Sequence, residues 1–172
     1  MDKNVMQQLK LGKVVVNMSI GQSGEKLEKA VKVLEEITGQ KPCRRRAKRT
    51  IREFGIRRGE SMACMVTLRG RRAVEFMQKA LLAKGNKLKG GSFDKDGNIS
   101  FGIREHLDIP GTKYDPNLGI FGMDVTLVFE KPGYRVARKR RRRSVIGKNQ
   151  RVKVDEVIEY LKSNFGVEIV ED

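Results

Sequence analysis

The sequence is poor in several residue types, and each shortage excludes a class of protein. Among 172 residues there are no tryptophans, one histidine and two cysteines, so a four-ligand zinc site cannot be built without carboxylates. No apolar stretch approaches the ~20 residues that a membrane-spanning helix needs. No apolar leader follows the first residues, so we expect a soluble protein that is not secreted. Cys43 and Cys64 are expected to be reduced thiols, with Cys64 in the core.

Acidic residues are also scarce relative to basic ones. Lys and Arg total 37 against 21 Asp and Glu, which gives a formal net charge of +16 and a pI near 10.2. Such an excess repels itself in a compact chain and therefore indicates a polyanionic partner. Nucleic acid is the leading candidate. A membrane surface is the alternative, but the sequence has no basic amphipathic helix with bulky apolar anchors, so no membrane partner is expected.

Two nearly acid-free blocks hold much of this charge. Residues 41–58 contain nine Lys or Arg and one acid, and residues 135–153 contain ten and no acid. A run of like charge is often only a solvated surface, but two such blocks favour contact with phosphates. Phe101, Phe121 and Phe129 fall on apolar strand registers rather than on a stacking platform. Recognition of the shape and backbone of a folded RNA is therefore expected.

Hydrophobic periodicity predicts an α+β fold. Strands are expected over residues 13–20, 62–68, 99–103 and 121–129, with a further short strand near 51–56. Helices are expected over residues 25–38 and from 71 to about 84, and a short helix from about 154 ends at Gly166. The second helix is expected to point these side chains inward: Ala73, Val74, Met77, Ala80 and Leu81.

These elements predict a largely antiparallel β-sheet with two main helices on one face, plus a basic loop and a short C-terminal helix. A sheet covered on one side leaves its other face free to meet a ligand. We expect a single domain over residues 1–172. The basic segment 135–153 lies within it, and a C-terminal helix and tail occupy residues 154–172.

Two local features allow both a functional and an ordinary interpretation. The turn at residues 21–24 (GQSG) precedes a helix and could hold a phosphate, but its spacing matches no nucleotide-binding motif and an ordinary tight turn is equally compatible. His106 could act as a general base with Glu105 or Asp108, but a structural role is favoured. No paired carboxylates, nucleophile elbow or metal-ligand cluster is found. We therefore expect no enzyme, no cofactor, no metal and no small-molecule substrate.

Five motifs in order resemble one family over nearly the whole chain. They are VVVNMSIG at 14–21, ITGQKP at 37–42 with AKRT at 47–50, FGIRRGESMACMVTLRG at 54–70, FGIRE at 101–105 and YDPNLGIFGMD at 114–124. Together they resemble the universal 5S-rRNA-binding protein of the large ribosomal subunit, called protein "five" in bacteria and archaea and "eleven" in eukaryotes. The arginine-rich segment, the following Ile146, Gly147 and Lys148, and the extra C-terminal helix are similar to archaeal and eukaryotic members.

The resemblance implies a non-catalytic structural protein in the cytoplasm, within the large ribosomal subunit. It implies binding to 5S rRNA in the central protuberance and a bridge from 5S rRNA to the large-subunit rRNA. A neighbouring 5S-rRNA-binding ribosomal protein is a further implied partner. It also implies a hairpin tip that reaches P-site tRNA. A free-standing basic RNA- or DNA-binding factor, such as a chaperone or chromatin module, is the alternative that composition alone permits. The residues that match the tip are Ile56, Arg57, Arg58, Gly59, Glu60 and Ser61.

Candidate rRNA-contacting residues fall into three groups. The resemblance implies contacts by a strand and by the basic segment after Gln40, whereas charge alone singles out the later arginine run, which is expected to order only on RNA. Cys43 and Arg45 depart from the family pattern, Arg45 by adding charge and bulk. The strand group is Asn17, Met18 and Ser19; the second is Lys41, Arg44, Arg46, Lys48, Arg49 and Thr50; the third is Arg138, Lys139, Arg140, Arg141, Arg142, Arg143 and Lys148.

Overall fold

Four strands with alternating apolar residues and one exposed edge strand form a five-stranded antiparallel sheet. A computed structural model describes residues 4–170, so the ends of the predicted domain, including Glu171 and Asp172, lie outside the described residues. The strands, in the spatial order β2–β3–β1–β6–β5, are β1 (Lys10–Ser19), β2 (Cys43–Arg46), β3 (Ser61–Leu68), β5 (Ile99–Ile103) and β6 (Met123–Glu130). A separate parallel pair is formed by β4 (Lys87–Lys89) and β7 (Glu168–Val170).

The central strand β1 fixes which side of the sheet is buried. Val14, Val16 and Met18 are fully buried, and they pair in register with buried residues of β3 and β6. Because successive side chains of a strand point to opposite faces, the intervening Asn17 and Ser19 lie on the other face. The sequence prediction of a strand with one apolar and one partly polar face is confirmed.

Two helices cover the buried face, as the sequence predicts. Helix α1 (Glu25–Thr38) has the predicted boundaries and ends at Gly39, whose positive φ of 62° suits glycine. Helix α2 (Arg71–Ala83) packs against β1 and contributes to the same core as α1. The expected inward position of Val74 is wrong, because that side chain is 37 % exposed, and Phe76 is buried instead.

The third helix, α3 (Val154–Phe165), packs against the end of β6. Its Tyr160 ring contacts the Phe129 ring edge-on at a centroid distance of 5.8 Å, and burial raises the pKa of Tyr160. Lys131, just after β6, is almost completely buried, with its Nζ 2.6 Å from a Glu156 carboxylate oxygen on α3. The C-terminal helix is therefore joined to the sheet by apolar packing and by one ion pair.

The predicted strand near residues 51–56 is wrong. Only an isolated bridge joins Ile51 to Ile56, and the real strand is β2, which pairs antiparallel with β3. All four residues of β2 are exposed, so no apolar alternation marks it in the sequence. Between residues 4 and 170, no helix is long and apolar enough to cross a bilayer.

Candidate nucleic-acid interface

The sheet face opposite α1 and α2 carries small polar side chains that solvent reaches. We call this surface the open face. It is defined by residues that lie beside one another across four strands. Its members are Asn17 and Ser19 on β1, Thr67 on β3, Asp124 and Thr126 on β6, and Ser100 on β5.

Two of the three strand residues predicted to contact rRNA lie on the open face. The Asn17 side-chain amide donates a hydrogen bond to the Ser19 hydroxyl at 3.1 Å, which fixes the orientation of both groups. Met18 points the other way and is fully buried under the helices. The side chain of Met18 therefore cannot make its predicted rRNA contact on the open face, because the two-residue period of the strand separates it from its neighbours.

Sequence reasoning missed the rest of the open face. The Thr126 and Ser100 hydroxyls are hydrogen-bonded at 3.0 Å across β6 and β5. Thr67 lies on the other side of β1, and its carbonyl accepts a hydrogen bond from the Gln40 side-chain amide at 3.3 Å. These threonines are polar residues within strongly apolar strands, and that contrast is the only sequence signal that marks them.

The edge strand β2 divides its arginines between two surfaces. Arg44 donates to the Glu28 carboxylate of α1 at 2.7 Å, so this predicted rRNA contact is partly neutralised within the protein. Arg45 lies opposite Ala63, which in turn lies opposite Ser19. The register therefore places Arg45, which was not predicted as a contact, on the open-face side.

The loop between β2 and β3 is an ordered extension of that hairpin. We call residues 47–60 the hairpin loop. Pairing continues beyond the strands, since the Ala47 amide donates to the Glu60 carbonyl at 2.8 Å and the Gly59 amide donates to the Ala47 carbonyl at 2.9 Å. Farther out, Ile51 and Ile56 exchange two backbone hydrogen bonds. The chain therefore reverses at residues 52–55.

This geometry corrects the predicted position of the tip. Of the residues predicted to form it, Ile56 closes the terminal turn, the next four lie on the returning limb, and Ser61 is already part of β3. The true tip carries Phe54, whose side chain is 73 % exposed, beside Ile51 at 41 %. An aromatic ring this exposed offers a surface for stacking.

Polar contacts hold the returning limb in place. The Thr50 hydroxyl accepts a hydrogen bond from the Arg58 amide at 3.0 Å. Glu60 accepts from the Ser23 hydroxyl at 2.5 Å and from the Arg57 amide at 3.1 Å. These two hydrogen bonds lower the pKa of Glu60, and the bond from Ser23 has the larger effect. The GQSG turn thus anchors the hairpin loop through Ser23, which gives the turn a structural role.

The basic side chains of the hairpin loop form no ion pair within the described part of the chain. Five cations along the loop are exposed, and no ion pair within residues 4–170 includes any of them. Lys41 and Arg46, next to the loop, are likewise exposed and outside those ion pairs. Their charges therefore remain available for an external anion. The five cations of the loop are Lys48, Arg49, Arg52, Arg57 and Arg58.

The arginine segment (residues 135–153) combines one anchored cation with many unpaired ones. Arg138 forms an ion pair with Glu130 at the end of β6, and the hydrogen bond that this carboxylate accepts raises the pKa of Arg138. Arg142 has a positive φ of 52°, which reverses the chain within the run. The other predicted contacts of the segment are exposed and take part in no ion pair of the described chain: Lys139, Arg140, Arg141, Arg142, Arg143 and Lys148.

His106 has structural contacts. Its side chain is 4 % exposed, and its Nδ1 accepts a hydrogen bond from the Phe121 amide at 3.3 Å. The backbone amide of His106 donates to the Phe121 carbonyl at 2.9 Å, so the two residues close the base of the loop between them.

Burial raises the pKa of the Cys64 thiol to about 11. No group of three potential metal ligands occurs within residues 4–170.

The fold and the site define a basic α+β protein that has a polar sheet face and two cationic segments, most of whose charges are unpaired. The family model for ribosomal protein L5 matches residues 4–57, and the model for the C-terminus of the same ribosomal protein family matches residues 61–154. The chain therefore belongs to the uL5 family of large ribosomal subunit proteins, and the resemblance seen in its motifs is confirmed.

Individual relatives match almost end to end. The large ribosomal subunit protein uL5 of Sulfurisphaera tokodaii is 54 % identical over 98 % of this chain and 96 % of the relative. The uL5 proteins of Aeropyrum pernix and Methanosphaera stadtmanae are 52 % and 49 % identical, covering 98 % and 96 % of this chain and 88 % and 99 % of the relatives. All three relatives are archaeal, in agreement with the expected branch.

Proposed function

We propose that this protein is a non-catalytic structural component of the large ribosomal subunit, and hence a cytoplasmic protein, that binds 5S rRNA in the central protuberance. The observation that carries the proposal is the set of unpaired cations in the hairpin loop and the arginine segment, held by a body whose polar open face is uncovered. Phosphates neutralise the cations, and arginine forks bind them bidentately. The hydroxyl and amide groups of the open face contact riboses and base edges.

The same surfaces suit a bridge between two RNAs. The hairpin loop and the arginine segment are separate basic segments, so one can contact 5S rRNA while the other contacts the large-subunit rRNA. A neighbouring 5S-rRNA-binding protein completes the proposed surroundings. This arrangement needs no reaction at the site, and buried His106 is accounted for by its contacts with Phe121.

A competition titration against labelled 5S rRNA at near-physiological salt tests the proposal. The competitors are tRNA, scrambled RNA of equal length and duplex DNA. We expect at least a ten-fold preference for 5S rRNA, reduced when Lys48 and Arg49 are both replaced by glutamate. The matched control replaces exposed Lys32 and Lys162, which lie on α1 and α3, with the same change in net charge.

Two outcomes would contradict the proposal. Equal competition by every polyanion would favour a free-standing basic RNA- or DNA-binding factor instead. An equal loss of affinity in the control variant would show that net charge, and not the position of the cations on the hairpin loop, determines binding.

We further propose that the tip of the hairpin loop contacts the P-site tRNA. Phe54 is exposed between Arg52 and Arg57, so a base or ribose can stack on the ring while the cations meet phosphates. Replacing Phe54 with alanine in ribosomes should speed dissociation of P-site tRNA by about five-fold or more. The control is Tyr114→Ala, an aromatic residue that is 59 % exposed elsewhere. Unchanged dissociation in the Phe54 variant would remove the ring from the proposal.

A further inference from the structure

The arginine segment forms one side of a half-open cavity, and the proposed function assigns no role to this cavity. The cavity has a volume of about 630 Å³ and lies between the segment, the end of β6 and the turn before β5. Val128 on β6 and Val145, Ile146 and Val152 of the segment supply apolar walls. This size falls within the roughly 300–1,000 Å³ range of small-ligand sites.

The walls of the cavity are fixed by internal contacts. The Tyr134 hydroxyl accepts a hydrogen bond from the Val152 amide at 2.9 Å, which holds the phenol ring in one position. The Ser144 amide donates to the Val136 carbonyl at 3.3 Å, so the chain returns on itself beyond the arginine run. The ion pair of Arg138 with Glu130 ties the same segment to the sheet.

The chemistry of the lining distinguishes between possible occupants. Arg138, Arg143 and Arg151 line the cavity together with apolar side chains and the Tyr134 ring. A phosphate alone would leave the apolar walls without a partner, and Glu130 and Asp96 in the lining would repel it. A flat heterocycle with polar edges and an attached phosphate fits all three kinds of surface.

We propose that this cavity receives one unpaired base of the ribosomal RNA whose phosphates the arginine run binds. The base packs against the valines and the Tyr134 ring, an arginine plane covers it, and Asn98 or Asp96 accepts hydrogen bonds from its edge. Unpaired Arg140 and Arg141 are then adjacent to the backbone on either side. The inference rests on the proposed RNA-binding function and adds a base-binding site to it.

Chemical probing of assembled large subunits tests the proposal and locates the nucleotide in the same experiment. Subunits containing the wild-type chain or Ala137→Trp are treated with dimethyl sulfate and carbodiimide, and every rRNA base is read. Ala137 lines the cavity, so the tryptophan fills it without changing the charge. We expect at least one unpaired base near the protein to be protected by the wild type and to become about ten-fold more reactive with the variant. Hydroxyl-radical protection of the backbone should stay the same.

Two further variants make the result decisive. Val136→Trp adds the same ring at an adjacent, partly exposed residue outside the cavity lining, and it should leave every base protected. Val145→Ser removes an apolar wall at a side chain that is 80 % exposed, so it should fold normally and partly lose the protection. Base reactivities that are identical in wild type, Ala137→Trp and Val145→Ser would overturn the proposal. If 5S rRNA preference persisted in that case, only the base-binding site would fail.

Discussion

Replacing the three arginines at 140–142 with glutamine should reduce the salt dependence of RNA binding and leave the fold intact. These side chains are exposed and form no ion pair within residues 4–170, so each is free to neutralise a phosphate. One neutralised phosphate contributes roughly 0.7–0.9 to the slope of log K against log salt concentration. The triple variant should therefore lose about 2–2.7 units of slope, so its affinity should fall about 15–40-fold less than that of the wild type between 50 and 200 mM salt.

Fluorescence anisotropy with labelled 5S rRNA at four salt concentrations measures this slope. The matched control replaces Lys32, Arg72 and Lys79, which are exposed on α1 and α2, with glutamine for the same change in net charge. An unchanged slope in the triple arginine variant would refute the assignment of these residues as phosphate contacts. An equal change in the control would show that only the total charge matters.

Arg138→Gln should instead cost about 1 kcal/mol of stability, because that side chain is paired with Glu130.

Three further predictions concern the body that supports the interface. Glu156→Gln leaves buried Lys131 without a carboxylate partner. It should lower the free energy of unfolding in urea by about 2–3 kcal/mol. A change below about 0.5 kcal/mol, the size usual for surface substitutions, would contradict the role of the pair. His106→Ala should lower the free energy of unfolding by about 2 kcal/mol without changing 5S rRNA affinity, whereas an affinity loss in folded protein would give His106 a binding role. Because the folded-state pKa of Glu60 is lowered, its contact with Ser23 stabilises the hairpin loop at neutral pH and is lost as pH falls through that lowered pKa. Amide protection factors in the returning limb, measured relative to the intrinsic exchange rate at each pH, should therefore fall in acid, and Glu60→Gln should abolish that fall.

Most of the fold could be predicted because its signals are local. The stripe of α1 and its terminal Gly39 mark both boundaries of the helix, and alternation marks the central strands. The errors fall where pairing is non-local or lacks an apolar pattern. β2 is exposed at every position and is defined only by its backbone pairing with β3. β4 and β7 are three residues each and meet from distant parts of the chain.

The positive charge of the site could be predicted from the sequence, but the positions and contacts of its side chains could be predicted only in part. Basic blocks are visible in any sequence, whereas the partner of each cation is not. Arg44 meets Glu28 from 16 residues away, and this contact follows from the packing of α1 against β3, the neighbour of β2. The two-residue period of β1 is visible in the sequence and is enough to separate Met18 from Asn17 and Ser19. The tip at Phe54 depends on the Ile51–Ile56 bridge, which closes a tight turn where the sequence predicts a short strand.

Ion pairs on the packed body and screening by salt limit the repulsion that so basic a chain must overcome to fold. Ion pairs such as Lys29–Glu25 and Lys131–Glu156 lie on the helices and at strand ends, where repulsion would otherwise act on the packed body. The densest groups of unpaired cations lie in the hairpin loop and the arginine segment, and others such as Lys32 and Arg72 are scattered over the helices. At physiological ionic strength charges are screened beyond about 8 Å, so repulsion acts mainly within each segment and little between them. Salt therefore reduces charge repulsion in the free protein and also lowers its affinity for RNA. The same unpaired charges cause the repulsion and bind the RNA.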